Sequence, residues 1–308
     1  MKNIYIVLSF IFFGSFHLMA QQDAQYTQFM FNKLYFNPAY AGSKRTFCMS
    51  AVYRQQWLGI DGAPRTQTFN IHAPILKQRV GLGLSVTNDN IGFTNMWNVE
   101  TSYAYRIPVA EDSYFSIGMR GSVNFVQVRW DQADPTQLLD GSIPGANASK
   151  VLPNFGFGLY YDNPRYYVGF SIPHLFNSKM DFTEDNVTGI EPKLERHYFL
   201  MGGLIIDLSK AVKFKPAVMF KYVPRSPFDM DLNVSFLFLD KLWAGVTYRL
   251  GDSVDGVLQY AFTPNFKLGL GYDYTLTKLQ RYNSGSIEVM LEYCFMSKNV
   301  MVHNPRYF

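Results

Sequence analysis

From Thr46 onward, apolar and polar residues alternate with a period of two in one run after another. Val80, Leu82, Leu84 and Val86 share one face, and Gly81, Gly83 and Ser85 the other. Phe115, Ile117, Met119, Val123 and Phe125 oppose Tyr114, Ser116, Gly118, Arg120, Ser122 and Asn124, with a break at Val126-Gln127. Met230, Leu232, Val234, Phe236 and Phe238 oppose Asp229, Asp231, Asn233 and Ser235; Phe266, Leu268, Leu270, Tyr272 and Tyr274 oppose Lys267, Gly269, Gly271 and Asp273. Ile287, Val289, Leu291, Tyr293 and Phe295 oppose Glu288, Met290 and Glu292. Such a period puts successive side chains on opposite faces of a strand. The body yields about fourteen such segments, each about long enough to cross a bilayer at a tilt. A soluble sandwich also alternates, but here the polar face carries Asp, Glu, Lys, Arg and Gly. The apolar face is continuous and often tipped with Tyr, Phe or Trp, as a lipid-facing band with aromatic ends requires. The pattern predicts an all-β outer-membrane barrel of about 14 antiparallel strands.

Loop length is an independent sign, because such barrels have short periplasmic turns and longer outer connections. Short connections are expected at Pro108-Val109-Ala110-Glu111, Asp162-Asn163-Pro164, Ser209-Lys210, Asp240-Lys241 and Thr263-Pro264-Asn265. Longer ones are expected at Leu58 to Arg65, Asn88 to Asn95, Arg129 to Lys150, His174 to Arg196 and Thr277 to Gly285. With the amino terminus in the periplasm, the short set falls there, and an even strand count returns the carboxyl terminus to the same side.

The ends of the chain differ from its body. Lys2, the apolar run Ile4 to Phe13, and His17-Leu18-Met19-Ala20 make residues 1–20 a secretory signal peptide; the run is too short to span a bilayer as a helix. Residues 21–45 are too polar for a membrane helix and too aromatic for a solvated leader. Residues 46–296 form the barrel, and 297–308 a periplasmic tail. About fourteen strands enclose more space than side chains can fill, so residues 21–45 are expected as a plug or a periplasmic collar. Cleavage removes Lys2 and no acid, leaving 27 basic and 24 acidic residues. That balance gives no reason to invoke nucleic acid. An aromatic content of 17% beside 48% hydrophobic residues suits a barrel that is apolar outside and polar inside.

Catalytic patterns are sparse. His72, His174, His197 and His303 are scattered, without a paired spacing for a metal. No Gly-x-Ser-x-Gly elbow or phosphate-binding glycine loop occurs, and Gly81-Leu82-Gly83 and Gly269-Leu270-Gly271 read as period-two glycines on a lumen face. Asp229/Asp231 and Glu288/Glu292 read as wet lumen residues. A barrel-embedded hydrolase would need a nucleophile and base that do not stand out, so no cofactor, metal or enzymatic activity is expected. Cys48 falls near the start of the first strand and Cys294 near the end of the last, both on the polar face. Closure makes these strands neighbours at the periplasmic end, where the thiols either bridge the seam or stay reduced and buried.

The stretch Tyr26-Thr27-Gln28-Phe29-Met30-Phe31-Asn32, the run Asn37-Pro38-Ala39-Tyr40-Ala41-Gly42 and the ending Pro305-Arg306-Tyr307-Phe308 resemble the PorP/SprF family, outer-membrane components of the type IX secretion system of Bacteroidetes. The resemblance implies a non-enzymatic outer-membrane protein linked to a periplasmic ring lipoprotein and its ring partner. It also implies help in secreting or anchoring a surface adhesin through that client's carboxyl-terminal domain, in some members for gliding motility. On that reading Asn37, Pro38, Tyr40 and Gly42 contact partners inside the cell envelope, unless they only launch the barrel. Asp131, Asp134, Asp140, Asp181, Glu184 and Asp185 contact the client outside, unless they are only solvated loop acids. The tail is an assembly signal or a docking peptide. A rival reading is a channel for small or apolar solutes, gated by the amino-terminal segment.

Overall fold

The computed structural model describes residues 24–132, 147–178, 194–224 and 226–295. Fourteen strands follow one another: β1 (Cys48–Gln55), β2 (Arg65–Ile75), β3 (Val80–Ile91), β4 (Thr94–Ala110), β5 (Ser113–Val128), β6 (Ala148–Asp162) and β7 (Tyr166–Ile172). Then come β8 (Tyr198–Leu204, carried on past Ile205 as Ile206–Asp207), β9 (Val212–Tyr222), β10 (Asp229–Phe238), β11 (Leu242–Arg249), β12 (Ser253–Ala261), β13 (Phe266–Thr275) and β14 (Ser286–Cys294). Each pairs antiparallel with its neighbours in the chain, and β14 pairs back onto β1 from Cys48↔Cys294 to Gln55↔Ile287. The sheet is therefore closed and has no free edge. In a lipid environment every backbone N–H and C=O must find a partner within the protein, and closure supplies it.

Alternation sorts the side chains as expected. Phe69, Leu82, Val99, Met119, Val168, Leu200, Leu258 and Leu291 point outward and are exposed. Rings crowd the two rims of that band: Trp97, Tyr222, Tyr248 and Tyr274 lie toward one mouth, and Tyr105, Tyr166 and Tyr260 toward the other. Ser, Thr, Asn, Asp, Glu and Arg side chains of the same strands point inward and are buried.

The connections separate the mouths. At the end holding Cys48 and Cys294, the turns after the even-numbered strands contain no more than four residues. One of them turns on Leu239 and Asp240, both at positive φ, which fits the right-handed twist of the paired strands. The other end carries the two longest connections, after β5 and β7. The long connection expected at Asn88 to Asn95 is absent, because β3 and β4 continue to Ile91↔Thr94 and only Gly92-Phe93 turns the chain. The polar residues that suggested a loop lie instead on the strands, where Asn88 and Asp89 are buried and Asp89 accepts from Thr66 Oγ1 at 2.6 Å. The break at Val126-Gln127 is likewise not a strand end. Val126 points inward onto Leu152 and onto Leu194 from the connection after β7, with Met96 packed beside them, so the inner face turns apolar where that connection folds over it.

Candidate functional site

The bore is occupied by the chain's own residues from Ala24 to Arg45. After a turn at Thr27–Phe31 come a single helical turn, α1 (Lys33–Phe36), and a 3-10 turn, Pro38–Tyr40. Asn37 joins them in extended backbone, as a residue before proline prefers, and its side chain accepts the Ala39 N–H at the start of the second turn. Helical pieces this short have no stability alone. The inner wall holds them in place.

Three kinds of contact do so. First, wall glycines let the segment lie directly against the strands. A Cβ at Gly81 would lie 1.9 Å from the Ala41 carbonyl oxygen, one at Gly118 would lie 2.3 Å from the Ala39 nitrogen, and one at Gly158 would lie 2.1 Å from Asn37 Oδ1. Second, apolar rings pack across the bore: Tyr26, Tyr35 and Phe36 meet edge-on, Phe36 meets Phe199, and Phe31 meets Trp243. Third, buried charges are paired into the segment. Glu288 accepts the N–H groups of Thr27 and Gln28 at 2.8 and 2.9 Å, while Thr27 Oγ1 donates to Asp273 at 2.6 Å. Arg54 pairs with Asp273 at 2.7 Å and Glu288 at 3.6 Å. Arg120 joins Glu100 to the carbonyl of Leu34, and Arg249 joins Asp231 to that of Tyr26. At the short-turn end Arg106 donates to the Gly42 carbonyl, and Lys44 and Lys267 share Glu292. Lys33 in α1 has its amino nitrogen 3.9 Å from the Tyr167 ring centre.

This geometry revises the partner-contact assignment for Asn37, Pro38, Tyr40 and Gly42. All four are buried in the bore. Asn37 Nδ2 donates to the carbonyls of Leu159 and Phe170, Tyr40 packs on His72 and Tyr160, and the Gly42 N–H donates to His72 Nδ1 at 3.1 Å. With no surface to offer, they anchor the segment to the wall. Asp231, Glu288 and Glu292, expected to be wet, are buried and paired with Arg or Lys instead, because the segment excludes water from around them. Asp131 is exposed in a short turn after β5. Asp134, Asp140, Asp181, Glu184 and Asp185, like His303 and the tail, lie outside the described residues.

Cys48 and Cys294 face each other in register across the closing seam, and their sulfurs are bonded. Among the described residues no group of His, Cys, Asp or Glu could hold a metal ion. Among the described residues four arginines, Arg54, Arg106, Arg120 and Arg249, are fully buried, and the alternation alone did not single them out. The available signal was an isolated Arg on a polar face, which reads equally well as lining a wet bore.

A cavity opens at each mouth, and the two share no lining residue. At the long-connection mouth about 510 Å³ is bounded by Ala24, Gln25, Trp57, Phe228, Arg249 and Asp252. At the short-turn mouth about 490 Å³ is bounded by Lys44, Leu239, Lys241, Trp243, Phe262 and Lys267.

No curated protein matches the chain. Among solved structures it is similar to the outer membrane protein Omp33 of Acinetobacter baumannii, at 10% identity and a TM-score of 0.47, covering 82% of this chain and 98% of that one. It is similar to the CymD monoaromatic hydrocarbon channel at 13% identity and a TM-score of 0.48, covering 91% and 95%. The toluene transporter TbuX of Ralstonia pickettii matches at 11% identity and a TM-score of 0.46, covering 84% and 91%. These likenesses are too distant to carry an argument, and the barrel rests on its own pairing. A family model described as the type IX secretion system membrane protein PorP/SprF matches residues 18–293. That match takes in the bore segment and every strand up to the closing seam, and the chain belongs to the PorP/SprF family of type IX secretion system outer-membrane proteins.

Proposed function

We propose that this protein is a non-enzymatic scaffold of the type IX apparatus. It would join the periplasmic ring lipoprotein and its ring partner to the secretion or surface anchoring of a client adhesin, held through the client's carboxyl-terminal domain. The observation that carries the reading is the occupied bore: residues 24–45 are packed and ion-paired into the wall, with separate cavities above and below. A barrel stoppered in this way suits holding partners at its two ends better than passing solutes through its middle. In this reading the short-turn mouth faces the periplasm, and its cavity edged by Lys44, Lys241 and Lys267 receives the ring. The long-connection mouth faces outward, where Asp131 and the acids at 134, 140, 181, 184 and 185 meet the client.

Affinity capture of the tagged protein from intact outer membrane, paired with conductance of the purified protein in planar bilayers, tests the proposal. The expected result is co-capture of a ring component and a secreted surface protein, with no steady conductance. A steady open pore without either partner would overturn it and favour a solute channel gated by the segment.

A further inference from the structure

The bore segment crosses from one mouth to the other, which separates the start of the chain from the start of the barrel. Lys44 meets Glu292 and Lys267 close to Cys48 and Cys294, at the short-turn mouth. Thr27 and Gln28 meet Glu288, near the other end of β14, and Ala24 and Gln25 wall the cavity at the long-connection mouth. Around them stand Trp57 and Pro64 from the connection after β1, Phe228 from that after β9, and Asp252 from that after β11. Ala24 therefore lies at the mouth opposite the one where β1 begins.

We propose that the processed amino terminus is presented at the long-connection mouth, as part of the surface that faces the client. Length decides the matter. Cleavage behind Ala20 leaves Gln21, Gln22 and Asp23 ahead of Ala24. Three residues reach at most about 10 Å when fully extended, whereas the hydrocarbon layer is about 30 Å thick. No conformation of these residues returns the terminus to the short-turn side. On this reading the amino terminus does not share the periplasmic side expected for both ends of the mature chain, and that constrains assembly. The bore carries the segment once, so a leader still held at the inner membrane would have to double back through a passage already filled. Cleavage therefore precedes closure of the seam between β14 and β1.

The inference rests on the proposed sidedness, and thiol labelling separates the two. Asp23→Cys, Asp61→Cys in the connection after β1, and Lys241→Cys in the turn after β10 are made singly in the full chain. The bonded Cys48 and Cys294 leave the unsubstituted protein as the blank. A membrane-impermeant maleimide is expected to label Asp23→Cys and Asp61→Cys on intact cells, and Lys241→Cys only after the outer membrane is permeabilised. Labelling of Asp61→Cys on intact cells while Asp23→Cys waits for permeabilisation or denaturation would overturn the inference and leave the sidedness standing. If Lys241→Cys were labelled on intact cells and Asp61→Cys were not, the sidedness would be reversed and the outward placement of the terminus would be overturned with it.

Discussion

Arg54 shows how much a single inward side chain does here. Its guanidinium is buried with Asp273 and Glu288, and those carboxylates also take the Thr27 hydroxyl and the N–H groups of Thr27 and Gln28. Removing one partner from a buried ion pair leaves the other charged and dry, at a cost of about 3–5 kcal/mol. Arg54→Met should therefore lower the unfolding free energy read from urea titration in detergent by about 3–5 kcal/mol. Glu288→Gln added to Arg54→Met should cost less than the two single losses together, because the charge stranded by the first change is removed by the second. Additive losses would mean that the two residues do not act as a unit. The same logic explains why His72, read from the chain as an isolated histidine, is structural: its ring nitrogen accepts the Gly42 N–H beside Tyr40.

At the scale of elements, the seam between β1 and β14 joins residues far apart in the chain. Eight register pairs and one disulfide close it, and the bond spans a sequence separation of 246. In the chain-entropy account a loop of that length stabilises by about 5 kcal/mol at most, and measured bridges more often give about 2–4. Denatured, unreduced protein should show no maleimide-reactive thiol, and reduction should expose two. The double change Cys48→Ser and Cys294→Ser should lose about 2–4 kcal/mol yet still close, because the ladder of backbone hydrogen bonds persists. A double variant that fails to show the compact, heat-modifiable mobility of a closed barrel would mean that the bridge, rather than the ladder, forms the seam.

For the whole molecule, fourteen strands make a cylinder too wide for its own side chains, and the amino-terminal segment supplies the missing core. Glycines at 81, 118 and 158 are the wall's half of that fit, since the first two leave room for backbone of the segment and the third for the side chains of Asn37 and Pro38. Deleting residues 24–42 should strand the arginine and carboxylate clusters in an open bore. The expected outcome is a barrel that conducts ions steadily in bilayers and unfolds at a lower urea concentration than the intact chain. A deletion variant that stays electrically silent would show that the connections close the mouth without the segment.

By itself the sequence determined the strands, their two faces and the compartment, because a two-residue period is local and both lipid and a polar interior impose it at every step. It brought the two cysteines to the same end of one seam, on neighbouring strands, for the same reason, and left open only whether they bond. It could not separate a wet lumen from a filled one, since Arg120, Asp231 and Glu288 look alike on a polar face whatever stands opposite. Tertiary structure alone decided that Asn37, Pro38, Tyr40 and Gly42 anchor a bore segment, that the strands flanking Gly92 run on past the expected loop, and that Ala24 and Gln25 line the mouth opposite the one where β1 begins. Those outcomes depend on contacts such as Thr27 with Glu288, whose partners are 261 residues apart. Which groups meet across a closed cylinder is set by register and closure, and no local pattern records it.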